Sequence, residues 1–173
     1  MAELVHGSVA GRRATAGPAA PVGRTLTPDE VLAAVPHAEP FRFLDEILEL
    51  DDDHIVAAYR FREDADFYRG HFPNNPITPG VLLVEAMAQA GVVALGIYLL
   101  AKEASLEQAR SFVTVFTDAS VEFSGIVKPG ARVLIRGQKL FFRRRKLRAA
   151  TEMHLEDGRL VCSGTLSGMG IPT

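Results

Sequence analysis

The sequence predicts an α+β protein in which a curved antiparallel sheet wraps around one long apolar helix. Three observations carry this. Residues 80–101 contain a single charged side chain, Glu85, and make about six helical turns. Beyond Ser111 the chain reads as β-compatible runs separated by turn signals. Asp157-Gly158, between two such runs, is a strong two-residue hairpin signal. A helix apolar on nearly every side must be covered on most of them, and a curved sheet does that. One sheet of this size leaves part of the helix bare. A second copy is the natural cover, so the chain is expected to form at least a homodimer.

The elements follow in order. Residues 1–26 are rich in Ala, Gly, Pro and Val, with Arg12, Arg13, Arg24 and a single acid, Glu3. This composition is read as a disordered N-terminal extension, and residues 27–173 as one domain. Arginine with few acids is shared with organelle transit peptides, but no apolar run there has the length of a secretory signal. Thr27 suits an N-cap, Pro28 the first helical position, and Glu30 falls three residues after the cap, so a short helix is expected up to Pro36. Residues 41–50 and 54–61 read as strands around the turn Asp51-Asp52-Asp53, and a proline-rich loop, residues 70–78, leads into the long helix, residues 79–102. Later strands are expected at 112–116, 119–127, 132–142, 147–156 and 159–167.

A net charge of −2 gives no reason to expect nucleic acid or an anionic membrane as partner. One cysteine, Cys162, rules out an intramolecular disulfide framework and fits a cytoplasmic setting; on an apolar run it is expected to be buried. Residues 80–101 match a membrane span in length, but Glu85 and Gln89 would be costly in lipid and the flanking strands alternate like those of a soluble protein. The helix is read as a protein core, with no membrane span.

The chemistry gathers in Gly70-His71-Phe72-Pro73-Asn74-Asn75-Pro76-Ile77-Thr78-Pro79-Gly80 and the helix after it. Pro73, Pro76 and Pro79 each fix φ, so His71 is held by a stiff loop. Glu85 stands alone among apolar neighbours, where a carboxyl can serve as a proton donor. Gln89, one turn on, shares its helical face and can orient it. Thr78 is a candidate cap, with Pro79 at the first helical position. The Gly80 N–H then lies free at the positive helix end, where it can polarise a carbonyl that the missing side chain lets approach. A base, an acid and an oxyanion donor suit removal of a proton next to a carbonyl and loss of a β-hydroxyl as water. No metal-ligand cluster, phosphate-binding glycine loop or nucleophile elbow competes in the sequence.

Pro36-His37, Pro40-Phe41-Arg42-Phe43-Leu44-Asp45, Gly70-His71-Phe72-Pro73, Pro79-Gly80-Val81-Leu82, Glu85-Ala86-Met87-Ala88-Gln89 and Val127-Lys128-Pro129-Gly130 together resemble the FabZ-type 3-hydroxyacyl-(acyl carrier protein) dehydratases, over residues 31–168. The resemblance implies the hotdog fold and dehydration of a (3R)-3-hydroxyacyl chain to the trans-2-enoyl product on acyl carrier protein. It implies His71 and Glu85 as a catalytic pair drawn from two subunits of a dimer, often in a trimer of dimers. It assigns the Gly80 amide to the thioester carbonyl and Gln89 to support of Glu85, with Phe72 and Val81 beside the substrate. No cofactor is implied, since the phosphopantetheine arm arrives with the acyl carrier protein. Isomerising relatives of the FabA type carry Asp at the position of Glu85, which favours simple dehydration here. Two departures are the N-terminal extension and the region 111–121, where Phe112 and Phe116 stand instead of a tyrosine-containing stretch. Alternatives in other classes are a catalytically silent acyl-carrier-binding hotdog protein and a hotdog thioesterase.

Residues 131–150 hold eight basic side chains and no acid, including Arg143-Arg144-Arg145-Lys146. These four are candidate docking residues for acidic acyl carrier protein, or simply a solvated hairpin end. His37, beside its prolines, is read as structural.

Overall fold

The computed structural model describes residues 23–172. The expected extension lies outside the described residues except for its last four, and these pack on the body. Leu26 is buried, and the Arg24 N–H donates to Ala101 O at 2.9 Å.

Helix α1 spans Pro28–Ala34, with the Thr27–Glu30 capping box formed in both directions. Strands β1 (Glu46–Leu50) and β2 (His54–Arg60) form a hairpin, and a single 3₁₀ turn covers Asp66–Arg69. The long helix α2 runs Gly80–Glu103, and a short helix, Leu106–Arg110, follows it. Strands β3 (Phe112–Phe123), β4 (Arg132–Arg143), β5 (Lys146–Leu155) and β6 (Leu160–Pro172) complete one six-stranded antiparallel sheet in the order β1-β2-β4-β5-β6-β3. The β5–β6 connection turns at Gly158, with φ of +86°, but it is one residue longer than the expected two-residue hairpin: Leu155 N–H donates to Arg159 O at 2.9 Å across Glu156, Asp157 and Gly158.

Several boundaries differ from the sequence reading, each for a physical reason. The first strand begins at Glu46, not at residue 41, because backbone groups of Phe41 and Phe43 bond to a helix side chain instead of a neighbouring strand. The two strands expected at 112–116 and 119–127 are one strand with a bulge between Phe116 and Asp118, which absorbs the break in alternation. Thr78 does not cap α2. Pro79 is the N-cap residue, and the Thr78 hydroxyl instead bonds the Tyr68 hydroxyl at 2.6 Å. The 3₁₀ turn and the helix Leu106–Arg110 were not expected; the latter carries a Ser105–Gln108 capping box readable in the sequence.

The stretch that could pass for a membrane span is 72% buried inside the fold. Strands β2, β4, β5 and β6 all contact its middle, a π-helical segment Gln89–Ala94. Helix and sheet meet most closely at glycine. A Cβ on Gly137 of β4 would lie 2.7 Å from Gly91 Cα, and one on Gly91 would lie 2.6 Å from Thr151 Cγ2. Strand β3 closes one side of the sheet. Among the described residues it pairs only with β6, and Val115, Phe116 and Phe123 are exposed along it. Cys162 is fully buried 3.8 Å from Met87 Sδ, and burial pushes its thiol up to about 11.

Gly137→Ala drives its methyl into helix backbone, so it should destabilise the protein by about 1–3 kcal/mol, read as a lower urea midpoint. Cys162 should resist an aromatic disulfide reagent at mildly alkaline pH in the native protein and react once urea unfolds it.

Candidate active site

Three pieces of chain carry the candidate site residues: the segment between α1 and β1, the first turns of α2, and the proline loop before it. Gln89 joins two of them. Its side chain is fully buried; the carbonyl accepts from Phe43 N–H at 2.8 Å, and the amide donates to Phe41 O at 2.8 Å and Glu85 Oε1 at 2.9 Å. The donors are fully used and nothing polar is left stranded. Glu85, one turn earlier on the same helix face, is thereby held by one oxygen. Among the described residues its Oε2 has no hydrogen-bond partner.

Glu85 opens into a cleft of about 300 Å³ between α2 and strands β3 and β6, lined by His37, Ala88, Val92, Val93, Thr114, Val115, Phe116 and Gly168. Its titratable members are His37 and Glu85, and most of the remainder is apolar. Gly168 keeps the floor open, since a Cβ there would lie 2.7 Å from both Thr114 Cγ2 and Val92 Cγ1. His37, read from the sequence as structural, lies in this cleft beside Glu85. Its Nε2 lies 3.6 Å from Glu85 Oε1, while its Nδ1 is buried without a partner. The signal available was its place in a Pro-His pair just before the segment that Gln89 grips.

His71 sits elsewhere. Its N–H donates to Phe67 O at 2.9 Å, and Ile77 N–H donates to His71 O at 3.0 Å, so backbone bonds anchor the loop on both sides. The Thr78–Tyr68 hydroxyl bond and a 2.8 Å bond from Thr78 N–H to Val127 O fasten its far end. The ring's Nδ1 lies 3.0 Å from Ile77 O. A carbonyl only accepts, so Nδ1 carries hydrogen, and the neutral ring keeps its lone pair on Nε2, which has no partner among the described residues. That is the tautomer a base needs. The His71 and Phe72 rings stack with centroids 4.1 Å apart.

Within one chain no hydrogen bond or ion pair joins His71 to Glu85 among the described residues, and His71 does not line the Glu85 cleft. Phe72, 50% exposed, and Val81, 75% exposed, also lie outside its lining. Gly80 begins α2. Its N–H finds no acceptor among the described residues, at the positive end of a 24-residue helix. The Phe123 ring lies across this position, 3.1 Å from where a Cβ on Gly80 would stand.

The basic run forms the β4–β5 turn. Arg144 and Arg145 have φ of 50° and 62°, and the Arg145 guanidinium lies 4.7 Å from the Phe112 ring centre. Arg143, Arg144 and Arg145 are exposed and Lys146 is half-buried; none forms an ion pair among the described residues.

A model of the FabA-like domain matches residues 35–165, which includes Glu85, Gln89, His71 and the cleft lining apart from Gly168. The chain belongs to the FabA-like family. A 3-hydroxyacyl-[acyl-carrier-protein] dehydratase FabZ of Streptococcus pyogenes serotype M3 is 38% identical over 141 residues, covering 80% of this chain and 94% of the relative. The corresponding protein of serotype M1 is 38% identical over 139 residues with the same coverage. Among solved structures, the dehydratase heterocomplex ApeI:P of Xenorhabdus doucetiae superposes with a TM-score of 0.66 at 19% identity, covering 86% of this chain and 93% of that one. A thioesterase of Haemophilus influenzae superposes with a TM-score of 0.62 at 18% identity, covering 87% and 94%. At such identities these two speak only for the fold, which is the hotdog fold of this FabA-like domain.

Gln89→Leu keeps the helix apolar but leaves the buried Phe43 N–H and Phe41 C=O unpaired. It should cost about 2–5 kcal/mol in urea unfolding, more than a surface Gln→Leu would.

Proposed function

We propose that this protein dehydrates 3-hydroxyacyl groups carried on acyl carrier protein, in fatty acid biosynthesis or a related acyl-building pathway. In this reading His71 is the base and Glu85 the acid, drawn from two subunits. The observation that carries it is the separation of two half-sites within one chain. His71 presents a free Nε2 from a rigid loop, and Glu85 presents a free Oε2 to an apolar cleft, yet the two do not meet. A dimer with two-fold symmetry can bring each half to the other half of its partner. The exposed apolar residues of β3, and its edge, which pairs with no strand among the described residues, offer a surface for that dimer.

The reaction then runs as follows. The Gly80 N–H binds the thioester oxygen and draws charge from the carbonyl, which acidifies the adjacent C–H. His71 Nε2 takes that proton. Glu85 gives a proton to the departing 3-hydroxyl, which leaves as water, and the trans-2-enoyl thioester remains. The apolar cleft wall takes the acyl chain. The phosphopantetheine arm comes with the substrate, so the chemistry requires no cofactor of the protein's own. The exposed arginines of the β4–β5 turn suit an acidic carrier by opposite charge, and the cytoplasm is the setting in which such carriers would be met.

Purified protein should interconvert 3-hydroxyacyl and 2-enoyl carrier thioesters, followed by mass. His71→Ala and Glu85→Gln should each lower turnover by about 10²–10⁴-fold with the fold intact by circular dichroism. Co-refolding the two inactive variants should restore about a quarter of wild-type turnover, because half the dimers are mixed and each of those holds one complete site. Free thiol released without enoyl interconversion would instead identify a thioesterase. No turnover of either kind, with both side chains in place, would identify a silent carrier-binding protein.

A further inference from the structure

The mechanism above makes no use of His37, although this histidine shares the cleft with Glu85. We propose that His37 is a positioning residue that, together with Gln89, holds Glu85 Oε1 as a hydrogen-bond acceptor and so places the carboxyl's proton on Oε2. This deepens the proposed dehydration and rests on it.

Two side chains aim at one oxygen. Gln89 Nε2 donates to Glu85 Oε1 at 2.9 Å, and His37 Nε2 stands 3.6 Å from that same atom. The gap to His37 is a few tenths of an ångström beyond a hydrogen bond, the kind of distance that tightens when a site fills. The state of the ring follows from its surroundings. Nδ1 is buried and has no partner, so a doubly protonated ring would bury an N–H with nothing to accept it. Burial pushes the imidazole below its usual range and nearby Arg42 acts in the same sense, while Glu85 opposes them. The ring is therefore neutral. The one tautomer that gives a hydrogen a partner puts it on Nε2, facing Glu85.

A carboxyl whose Oε1 accepts from two N–H groups keeps its own hydrogen on the other oxygen. That oxygen is the one with no protein partner. The arrangement therefore selects which oxygen delivers the proton and prevents the carboxyl from turning over. Both donors rely on the same short segment. His37 belongs to it, and Gln89 is anchored by Phe41 O and Phe43 N–H within it. The His37 and Phe41 rings also lie 6.4 Å apart, which keeps the imidazole beside that anchor.

Two readouts test this. His37→Phe should lower kcat about 10- to 100-fold with KM nearly unchanged, since misplacing an acid by about 1 Å has such an effect. His37→Gln, which keeps an N–H donor, should recover most of that loss. Independently of turnover, the His37 ring, followed by nitrogen NMR in the full-length protein, should carry its hydrogen on Nε2, the nitrogen that faces Glu85 Oε1. Wild-type kcat in His37→Phe, in a protein whose His71→Ala and Glu85→Gln variants are inactive, would overturn the positioning role and leave the dehydratase reading standing. A His37 hydrogen on Nδ1, which leaves Nε2 without a hydrogen to give Glu85, would overturn it whatever the activity and whether or not His37→Phe folds. Failure of the wild type to dehydrate any carrier substrate would remove the reading beneath it, and the role with it.

Discussion

Gln89 sits where a folded chain least tolerates a polar side chain, midway along an apolar helix with none of its surface exposed. A buried amide without partners would cost several kcal/mol, so its hydrogen bonds are a condition of the fold. They are satisfied by reaching across to Phe41 and Phe43 and along the helix to Glu85. The same three bonds that make this polar group tolerable fix the segment before β1 against α2 and hold the carboxylate. Stability and chemistry thus depend on one side chain. The orientation of Glu85 does not vary independently of the packing of Phe43, which is itself in edge contact with Tyr59 in the core.

That anchor lies at the start of the π-helical segment, and Gly91 within it meets Gly137 of β4 at backbone distance. The wider π turn and the absent side chains let the helix settle close onto the sheet. Cleft and scaffold are consequently built from the same residues. Val92 and Val93, inside the π segment, form part of the cleft wall while their neighbours contact the strands beneath. The proline loop is fastened separately, through Tyr68, Thr78 and Val127. The two halves of the chemistry therefore rest on independent supports.

What could be read from the sequence follows from how local each signal is. The capping box at Thr27, the Asp-Gly turn, the apolar helix and the residue types of the proline loop depend on near neighbours, and all are legible. Residues 41–45 look like a strand because their side chains are β-compatible, but Phe41 C=O and Phe43 N–H bond to Gln89, forty-odd positions away. The bulge in β3 is equally invisible, since only pairing with β6 reveals that one strand continues through it. The place of His37 beside Glu85 is equally hidden. Nothing within its own stretch indicates Glu85, and the contact exists only after the segment has folded back over the helix. The pairing of His71 with Glu85 carries the same lesson in reverse, because nearness in sequence does not become contact within the chain.

Strand β3 has a further consequence, concerning the life of the chain before any substrate is met. Twelve residues long, paired on one side and bearing Val115, Phe116 and Phe123 on its surface, it is a template to which other extended segments could adhere. Its only charges are Asp118 and Glu122, both past the bulge, so the stretch from Phe112 to Phe116 carries none. A newly made copy is therefore in a race between finding its proper mate and sticking to something else. Expression level, chaperone supply and co-translational encounter would bear on the yield of working protein as directly as any residue in the cleft.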